Sequence, residues 1–300
     1  MPIAPTPLIS VIVPAFNRQA TIVRCLESVL AQDFGDFELI VADDGSTDDT
    51  RAIVRGMADA RVRLVERPQN GGAAAARNSG VEAARGAHVA FLDSDDMFLP
   101  GKLSRQYAAL MAAPGPMRMS CTAYRIELLD QNRIIDSVHT EAMTGFDGLY
   151  GGCSLGPGST LMCARAVFDD IGPFDTSLQR FEDWEWLLRY TAGGGRILLL
   201  DDLLSHVYNR RGRLARQTWD AAEAFIARRD QLYPDVVGGQ RRDANFSIWS
   251  QVAGTAFYAG DKRTFAAATL RATRQDPMRV VRSGTRFLLG RSAQSMLDAK

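Results

Sequence analysis

Two acidic clusters, about fifty residues apart, are the parts of this sequence best suited to do chemistry. They are Asp43-Asp44-Gly45-Ser46 and Asp93-Ser94-Asp95-Asp96, and each follows a short apolar run typical of a buried strand. Carboxylates crowded at strand ends repel one another unless a cation or hydrogen-bond donors lie between them. Ligands of open α/β sheets bind at the carboxyl ends of the strands. The clusters therefore predict a site for a divalent metal that carries a nucleotide diphosphate.

A regular alternation of apolar strands and amphipathic helices positions these clusters. The spacing of apolar residues predicts strands at 8–14, 37–42, 62–65 and 87–92 and helices at 19–31, 48–59 and 72–85, with Gly86 as the C-cap of the last helix. This order predicts a mostly parallel sheet with helices on both faces. Right-handed crossovers then bring the loops at 14–18, 43–49 and 93–97 to one edge of the sheet.

After residue 100 the pattern becomes mixed. It predicts a helix at 101–112, strands at 117–129 and 133–139, a mobile Gly-rich loop at 151–159, a strand at 161–163, a helix at 182–192 and a strand at 196–201. From about residue 218 the chain is mainly helical, with helices predicted at 219–232, 246–259, 262–274 and 279–289. The sequence thus predicts an α/β domain followed by a C-terminal helical extension.

The formal net charge is zero, yet the charges are unevenly distributed along the chain. From Arg210 onward there are 17 Lys and Arg against 8 Asp and Glu, whereas the preceding part has 18 against 27. This asymmetry suits a metal site in the first part and an anionic partner for the tail. A solvated basic helical surface explains the tail equally well. We expect no nucleic-acid partner.

The cysteines and the N-terminus bear on cellular location. The four cysteines are scattered and show no metal-ligand spacing with the three histidines, so we expect reduced, mostly buried thiols of a cytosolic protein. No signal-peptide pattern opens the sequence, and no apolar run approaches the roughly 18 residues that a membrane-spanning helix needs. The predicted location is cytoplasmic, or peripheral at the inner face of the cell membrane.

Five motifs together resemble a known enzyme family. In chain order they are residues 11–18 (VIVPAFNR), 43–48 (DDGSTD), 71–80 (GGAAAARNSG), 91–96 (FLDSDD) and 181–185 (FEDWE). Jointly they resemble glycosyltransferase family 2, whose members are inverting enzymes with a GT-A (Rossmann-like) fold. The resemblance covers about residues 8–210 and implies a nucleotide-sugar donor, usually UDP-linked, with Mn²⁺ or Mg²⁺. It implies a GT-A domain at 1–215, with a nucleotide-binding half at 1–100 and an acceptor half at 101–215, and the helical pattern of the remaining residues predicts an extension at 216–300.

The resemblance also assigns residues to the donor. The turn Pro14-Ala15-Phe16-Asn17 would pass beneath the nucleobase. Asp44 resembles the carboxylate that accepts a hydrogen bond from the uracil imide, since an ionised carboxylate can only accept. Helix capping or an Asx turn is the alternative for Asp43 and Asp44. Arg77 would pair with Asp44 or with phosphate, and a surface arginine is the alternative reading.

The pattern Asp93-x-Asp95 resembles the DxD motif of this fold. Oxygen ligands at short spacing suit a hard cation, which takes substrate phosphate as a further ligand. We expect Asp95 to be the principal metal ligand, Asp93 and Ser94 to lie near the ribose, and Asp96 to be a second ligand or to lie behind the first. These assignments are interchangeable among the three aspartates. An acidic surface turn is the alternative.

A histidine late in the domain is a further candidate metal ligand. Many relatives have a histidine after a late strand that binds metal or contacts phosphate. In this sequence that zone contains His206, followed by the Arg210/Arg211 pair, and either could serve. A structural histidine at a strand end is the alternative for His206.

Asp183 resembles the catalytic base of the family. Inversion requires a carboxylate away from the metal that activates the acceptor hydroxyl. The helix N-terminus stabilises its ionised form, whereas Glu182, Glu185 and the neighbouring tryptophan rings raise its pKa. The alternative is that Glu182 and Asp183 are simple N-terminal helix charges. Trp184 and Trp186 would stack on acceptor sugars or pack inside the protein.

The basic tail resembles an amphipathic helix of a membrane interface. Four arginines alternate with apolar residues there: Arg279, Arg282, Arg286 and Arg291. Docking on a membrane would suit a lipid-linked acceptor. Packing of a final helix onto the rest of the protein is the alternative.

These residues together predict an inverting, metal-dependent glycosyltransferase. It would move a sugar from a nucleotide-diphosphate donor, UDP-linked by the resemblance, to a saccharide or lipid-linked acceptor in the synthesis of a cell-surface glycan. A nucleotidyltransferase of similar fold is one rival, but Ala15-Phe16-Asn17-Arg18 lacks the Gly-rich basic loop that holds a triphosphate. A non-catalytic subunit that binds nucleotide sugars is another, and it would be expected to lack Asp183 or the metal aspartates.

Overall fold

The computed structural model describes residues 6–113, 117–129, 132–137, 139, 141–209 and 215–282. The described residues divide into two compact units. One lies within Met1–Leu149 and Cys153–Arg210, and the other within Tyr150–Gly152 and Arg211–Lys300. The further division of the first unit into a nucleotide half and an acceptor half stays a prediction.

The first unit contains one mixed sheet. Its strands are β1 (Ile9–Ala15), β2 (Phe37–Asp43), β3 (Val62–Glu66), β4 (His88–Phe91), β5 (Met97–Phe98), β6 (Met119–Leu128), β7 (Arg133–Ser137), β8 (Met162–Ala164) and β9 (Leu198–Asn209). The order is β3-β2-β1-β4-β8-β6-β9-β5, with β7 paired to β6. The first four strands are parallel, β8 is antiparallel to β4 and β6, and β9 is parallel to β6. The predicted mostly parallel sheet is confirmed. The pattern did not predict β5, and β9 is longer than predicted.

Helices connect the strands and form the C-terminal region. They are α1 (Ile22–Leu30), α2 (Thr50–Arg55), α3 (Gly72–Ala83), α4 (Lys102–Ala112), α5 (Phe146–Gly151), α6 (Pro157–Thr160), α7 (Val167–Ile171), α8 (Glu182–Ala192), α9 (Ala215–Leu232), α10 (Gly238–Tyr258) and α11 (Lys262–Gln275). The predicted helices of the first hundred residues are confirmed, although α1 and α2 are shorter than expected. The short helices α5, α6 and α7 were not predicted.

Alternate residues of β1 face opposite layers of helices, as expected for a strand buried on both sides. Val11 and Val13 belong to a core cluster that also contains Leu26 of α1. Ile12 faces α3, where a Cβ placed on Gly80 would lie 2.4 Å from the Ile12 Cγ2 atom. Glycine at that position lets α3 approach the sheet closely.

Gly86 has a different role from the predicted helix C-cap. The helix α3 ends at Ala83, with Ala84 as its cap. Gly86 lies against β1, where its N–H donates to Ser10 Oγ over 2.9 Å. A Cβ placed on Gly86 would lie 2.7 Å from Ser10 N and 2.8 Å from Ile9 C, both backbone atoms. The glycine is therefore required by close backbone approach rather than by helix termination.

We expect Gly86→Ala to lower the free energy of unfolding by about 1–3 kcal/mol, because the methyl group cannot fit without a backbone shift. Urea unfolding followed by circular dichroism measures the change. The matched control is Gly35→Ala, since a Cβ on Gly35 meets nothing within 4 Å. Equal unfolding midpoints for the two variants would contradict the prediction.

The second unit is built from α9, α10 and α11. The rings of Trp219 and Trp249 are 4.7 Å apart, and the Arg271 guanidinium lies 4.8 Å from the Trp249 ring centroid. The side chain of Asp261 caps α11 by accepting a hydrogen bond from Thr264 N over 3.0 Å. The predicted helical character of this region is confirmed.

The basic tail is described as far as residue 282. Arg279 lies 3.3 Å from Asp243 Oδ1, and its guanidinium lies 4.4 Å from the ring centroid of Phe246. In the part of the chain that the structure describes, no helix is both long and apolar enough to cross a membrane. The remaining arginines of the predicted interfacial helix lie outside the described residues: Arg286 and Arg291.

Candidate active site

The loops after β1, β2 and β4 meet at one edge of the sheet, as predicted. The strand order reverses between β1 and β4, which is where ligands bind in open α/β sheets. Asn17 holds the first two loops together, because its N–H donates to Ser46 Oγ over 2.9 Å and its Oδ1 accepts from Thr47 N over 2.9 Å. Asn17 has a left-handed φ of 53°, a conformation that asparagine tolerates better than most residues.

The predicted nucleobase turn divides into buried and exposed residues. Pro14 and Ala15 belong to β1 and are buried, and the Ala15 carbonyl accepts a hydrogen bond from Asp44 N over 2.8 Å. Phe16 is 39% exposed and presents an apolar ring at the sheet edge. Of these residues, Phe16 and Asn17 are accessible to a ligand, and their contact with a base stays a prediction.

Asp44 is buried, and protein donors surround its carboxylate. It accepts hydrogen bonds from Gly71 N at 3.0 Å, from Gly72 N at 2.7 Å and from Arg67 Nε at 2.8 Å. The predicted partner Arg77 is therefore wrong for Asp44, and Arg67 takes that place. The carboxylate holds the turn that begins α3. An ionised carboxylate has about four acceptor sites, so a base N–H could still be accepted, and this role stays a prediction.

Asp43 has the structural role given as its alternative, since its side chain closes a turn of the loop. It is fully buried, and its Oδ2 accepts from Ser46 N at 3.0 Å and from Arg51 Nε at 2.5 Å. The bond to Ser46 closes a turn around Gly45, whose φ is 81°. A Cβ on Gly45 would lie 2.9 Å from Asn70 N. The first acidic cluster thus shapes the loop that faces the start of α3.

The second acidic cluster presents two aspartates outward and one inward. The side chains of Asp93 and Asp95 are 40% and 43% exposed. Asp96 is buried, with Oδ2 accepting from Ser159 Oγ at 2.5 Å and Oδ1 accepting from Tyr208 N at 2.9 Å. Both oxygens of Asp96 therefore bind protein donors. This geometry favours the alternative in which Asp96 lies behind the principal ligand.

Ser94, predicted to lie near the ribose, is buried between the outward aspartates. Its carbonyl accepts a hydrogen bond from Thr21 Oγ1 over 2.9 Å, which ties the loop after β4 to the start of α1. The buried side chain of Ser94 gives no direct support to a ribose contact, which stays a prediction.

Crowding of negative charge shifts the acidity of this cluster. Burial raises the pKa of Asp95, the charge of Asp93 raises it further, and Arg18 opposes the rise. Burial and the charge of Asp93 also raise the pKa of Asp96 well above its usual value. The loop therefore carries negative charge that a bound cation would relieve.

The donor set fits a hard divalent cation. Carboxylate oxygens from Asp95 and Asp93, together with phosphate oxygens and water, are the ligands that Mg²⁺ and Mn²⁺ prefer. In the described ranges, no group of three or more His, Cys, Asp or Glu side chains is arranged to hold a metal by itself. Arg18 Nη2 lies 3.6 Å from Asp95 Oδ2, an exposed pair that is easily displaced.

His206 lies in β9, opposite Met97 of β5. Its Nε2 atom lies 3.1 Å from Glu127 Oε2, and its ring stacks 4.3 Å from the ring of Tyr208. Burial lowers the pKa of His206, and Glu127 opposes this change. These contacts agree with the structural alternative, and its role as a metal ligand stays a prediction. Arg210 and Arg211 lie outside the described residues.

Arg77 connects the second acidic cluster to α8. Its side chain is 5% exposed, with Nη1 at 2.5 Å from Glu182 Oε1 and Nη2 at 2.6 Å from Asp93 Oδ1. The surface alternative for Arg77 is wrong. The guanidinium pairs with carboxylates on two different elements, one of them in the predicted donor loop.

Asp183 lies in the first turn of α8, next to this bridge. Burial raises the pKa of Asp183 to about 6, the charge of Glu182 contributes to the rise, and Arg77 and the Trp184 N–H oppose it. The Asp183 Oδ1 atom accepts from Trp184 N over 2.7 Å. A carboxylate with a pKa near the working pH is suited to accept a proton. Of the predicted influences, the charge of Glu182 and a backbone N–H at the helix N-terminus act on Asp183, whereas the effects of burial and of Arg77 were not predicted.

The two tryptophans of α8 pack inside the protein. Trp184 Nε1 donates to the Leu149 carbonyl over 2.7 Å, and Trp186 Nε1 donates to the Gly172 carbonyl over 2.9 Å. Both are buried, and Trp186 stacks 4.5 Å from the ring of Phe168. The alternative in which they stack on acceptor sugars is wrong in this structure, because neither ring is accessible.

The Gly-rich segment is more ordered than predicted. Its second half is buried and forms α6, where Ser159 contacts Asp96. A Cβ placed on Gly158 would lie 2.6 Å from Asp93 Oδ2. The prediction of a loop is wrong for 157–159, because these residues belong to α6 and contact the second acidic cluster.

Sequence reasoning missed three residues that hold the site. They are Arg67, Ser159 and Tyr208, which bind Asp44 and Asp96. No local motif marks them, since each lies far along the chain from its partner. Only the strand order brings them together.

Sequence comparison places this site in a family. The profile described as glycosyl transferase family 2 matches residues 10–137. The Escherichia coli UDP-Glc:alpha-D-GlcNAc-diphosphoundecaprenol beta-1,3-glucosyltransferase WfgD is 32% identical over 60% of this chain and 68% of its own length. TuaG of Bacillus subtilis, named as a teichuronic acid biosynthesis glycosyltransferase, is 34% identical over 71% of this chain and 86% of its own length.

Solved structures show the same fold. The S. aureus TarS fragment 1–349 in complex with UDP-GlcNAc matches with a TM-score of 0.59 at 20% identity, over 90% of this chain and 92% of that one. The mannosyltransferase PcManGT from Pyrobaculum calidifontis, in complex with GDP-Man and Mn²⁺, matches with a TM-score of 0.60 at 18% identity. The match covers 95% of this chain and 81% of that one. The sheet of the first unit is thus a GT-A fold. From its relatives and its motifs, the chain belongs to glycosyltransferase family 2.

Proposed function

We propose that this protein is an inverting, metal-dependent glycosyltransferase that moves one sugar from a UDP-linked donor to a saccharide or lipid-linked hydroxyl in cell-surface polysaccharide synthesis. The observation that carries the proposal is the position of Asp183. It has a pKa of about 6 and lies beside Glu182, which Arg77 joins to Asp93 of the donor loop. A proton acceptor and a donor-binding loop are therefore part of one connected arrangement.

The comparisons support the choice of donor and acceptor classes. WfgD is named for UDP-Glc and for a GlcNAc-diphosphoundecaprenol acceptor, and TarS is bound to UDP-GlcNAc. A GDP-linked donor is the competing choice, because the mannosyltransferase structure contains GDP-Man. We place the nucleobase against Phe16 near Asp44, and the diphosphate beside Asp93 and Asp95.

Asp95, assisted by Asp93, would hold the cation together with the donor diphosphate. A bound cation supplies Lewis-acid stabilisation of the charge on the departing nucleotide diphosphate. Asp183 would accept the proton of the acceptor hydroxyl as that oxygen attacks the anomeric carbon from the face opposite the nucleotide. The sugar–phosphate bond then breaks with inversion, and the proton stays on Asp183 until solvent removes it.

A lipid-linked acceptor would require the protein to reach a membrane surface. On residues 277–282, Met278 and Val281 are exposed beside Arg279 and Arg282. Exposed apolar and cationic side chains on one short helix suit contact with anionic lipid. The contact of residues 277–282 with a membrane is part of the proposed function, and it involves none of the proposed catalytic residues.

We expect kcat to fall on the acid side, since protonated Asp183, whose pKa burial raises to about 6 in the ligand-free protein, cannot accept the hydroxyl proton. Below that pH the rate should fall about tenfold per pH unit, and above it the rate should reach a plateau. The measurement is kcat from pH 4.5 to 8.5 at saturating donor and Mn²⁺. A profile that stays flat down to pH 5 would rule out Asp183 as the base.

A donor screen tests the proposed function as a whole. Thermal shift and transfer are measured with UDP-, GDP- and dTDP-linked sugars, each with and without Mn²⁺, using a polyprenyl-diphosphate-linked GlcNAc as acceptor. We expect UDP with Mn²⁺ to raise Tm, because a ligand that binds the folded state stabilises it. The proposal fails if no UDP compound shifts Tm and no sugar is transferred.

A further inference from the structure

A buried arginine bridges the donor loop and the helix that bears the proposed base. Arg77, on α3, places its two terminal nitrogens 2.5 Å from Glu182 and 2.6 Å from Asp93. Its side chain and that of Glu182 are 5% and 8% exposed, whereas Asp93 is 40% exposed. The planar fork of arginine suits two simultaneous contacts of this kind, which a lysine ammonium could not reproduce.

We infer that Arg77 is a positioning residue that fixes Glu182, and through it the adjacent Asp183, by means of the same Asp93 carboxylate that faces the donor. The inference rests on the proposed function. It removes Arg77 from the set of predicted donor-binding residues, since both ends of the guanidinium are occupied by protein carboxylates.

The start of α8 needs such support. Phe181, which precedes the helix, has a left-handed φ of 66° and makes no side-chain capping bond. For a non-glycine residue this conformation is unfavourable, so surrounding contacts must impose it. Arg77 holds Glu182 on one side, and the bond from Trp184 Nε1 to the Leu149 carbonyl holds the other. Asp183 lies between these two anchors.

The arrangement also couples donor binding at Asp93 to the positioning of the proposed base, Asp183. Asp93 and Glu182 share one guanidinium, so a cationic ligand that attracts Asp93 frees Arg77 to pair more strongly with Glu182. Coupling of this kind is reciprocal: whatever fixes the base also favours the donor-bound loop. Donor binding would then order the base before the acceptor reacts.

The charges that face Asp183 come from three elements. They are Glu182 on α8, Arg77 on α3 and Asp93 in the loop after β4, and the neutral titratable groups nearby are Cys121, Tyr124 and Cys153. Because the Glu182 charge raises the pKa of Asp183 and the Arg77 charge lowers it, removal of the Glu182 charge should shift the pH profile to lower pH, whereas a substitution that keeps the Arg77 charge should leave it in place.

The test compares Glu182→Gln and Arg77→Lys. Glutamine keeps the shape of Glu182 and can still accept from Arg77, and lysine keeps the charge of Arg77 without its fork. We expect kcat to fall about 10- to 100-fold in both variants, as for a misplaced catalytic group. The acid limb of kcat should move to lower pH in Glu182→Gln and should stay near its wild-type position in Arg77→Lys, because lysine keeps the positive charge. The Kd for UDP in the absence of metal should change by less than about threefold.

The matched control is Glu185→Gln, which neutralises a buried carboxylate of the same helical turn that pairs with Arg189 instead. A purely structural role would lower Tm in all three variants without moving the pH profile. Wild-type kcat and an unshifted acid limb in both test variants would overturn the inference, and so would loss of folding in both. A wild-type protein that transfers no sugar would instead overturn the proposed function.

Discussion

The Asp183→Asn variant is expected to transfer sugar about 10²- to 10⁴-fold more slowly than the wild type while it still binds UDP. Asparagine has the size of aspartate, and its side-chain oxygen can still accept from Trp184 N. It lacks the charge needed to take the acceptor proton. The measurement pairs initial rates of transfer with the thermal shift that UDP and Mn²⁺ produce.

The same substitution should raise stability at pH 7 to 8. A carboxyl group whose pKa is raised in the folded state contributes stability at low pH, and this contribution is lost as the pH rises through the folded pKa, here about 6. Above that pH, ionised Asp183 costs the folded state on the order of 1–3 kcal/mol, which asparagine relieves. A higher Tm together with lost transfer separates a catalytic role from a structural one.

The control for Asp183→Asn is Asp170→Asn. Asp170 has an exposed side chain that pairs with Arg118, away from the acidic clusters. It should keep wild-type transfer rates. Transfer by Asp183→Asn within about tenfold of the wild type would show that another group accepts the proton.

Strands were predictable from the sequence where burial on both faces makes them continuous apolar runs. The strands β1, β2 and β4 are short apolar runs that end at a Pro, Asp or Gly signal, and each was predicted within one or two residues. The strand β5 was not predicted and β9 was predicted too short, because pairing with neighbouring strands determines where these two strands form. The strand β5 has two residues, and β9 continues past the charged pair Asp201-Asp202, where a register shift interrupts its pairing with β6 between Leu200 and Leu203.

The site was predictable as a set of loops but not as a set of contacts. The pattern of strand ends correctly indicates which acidic clusters meet at one edge. It does not show which carboxylates of a cluster face inward, because Ser159 and Tyr208, which turn Asp96 inward, come from distant parts of the chain. For the same reason the pattern could not distinguish Arg67 from Arg77 as the partner of Asp44.

The inward and outward aspartates of the second cluster should respond differently to substitution. Asp95 is 43% exposed and its side chain pairs weakly with Arg18, whereas both oxygens of Asp96 accept bonds from protein donors. In Asp96→Ala both buried donors, Tyr208 N–H and the Ser159 hydroxyl, would lose their acceptor. An unmade buried hydrogen bond costs about 1–3 kcal/mol, so this variant should lose stability.

We expect Asp95→Asn to abolish the part of UDP affinity that depends on Mn²⁺, a loss of at least about tenfold, while Tm without ligand changes little. Asp96→Ala should show the reverse: a lower Tm, with the effect of Mn²⁺ on UDP affinity retained. Isothermal titration of UDP with and without Mn²⁺, together with thermal unfolding of the free proteins, measures both quantities. If Asp96→Ala removes the Mn²⁺ effect and Asp95→Asn keeps it, the assignment of the two aspartates must be exchanged. If neither variant changes it, the cation binds elsewhere, and the charge crowded into this loop serves another ligand.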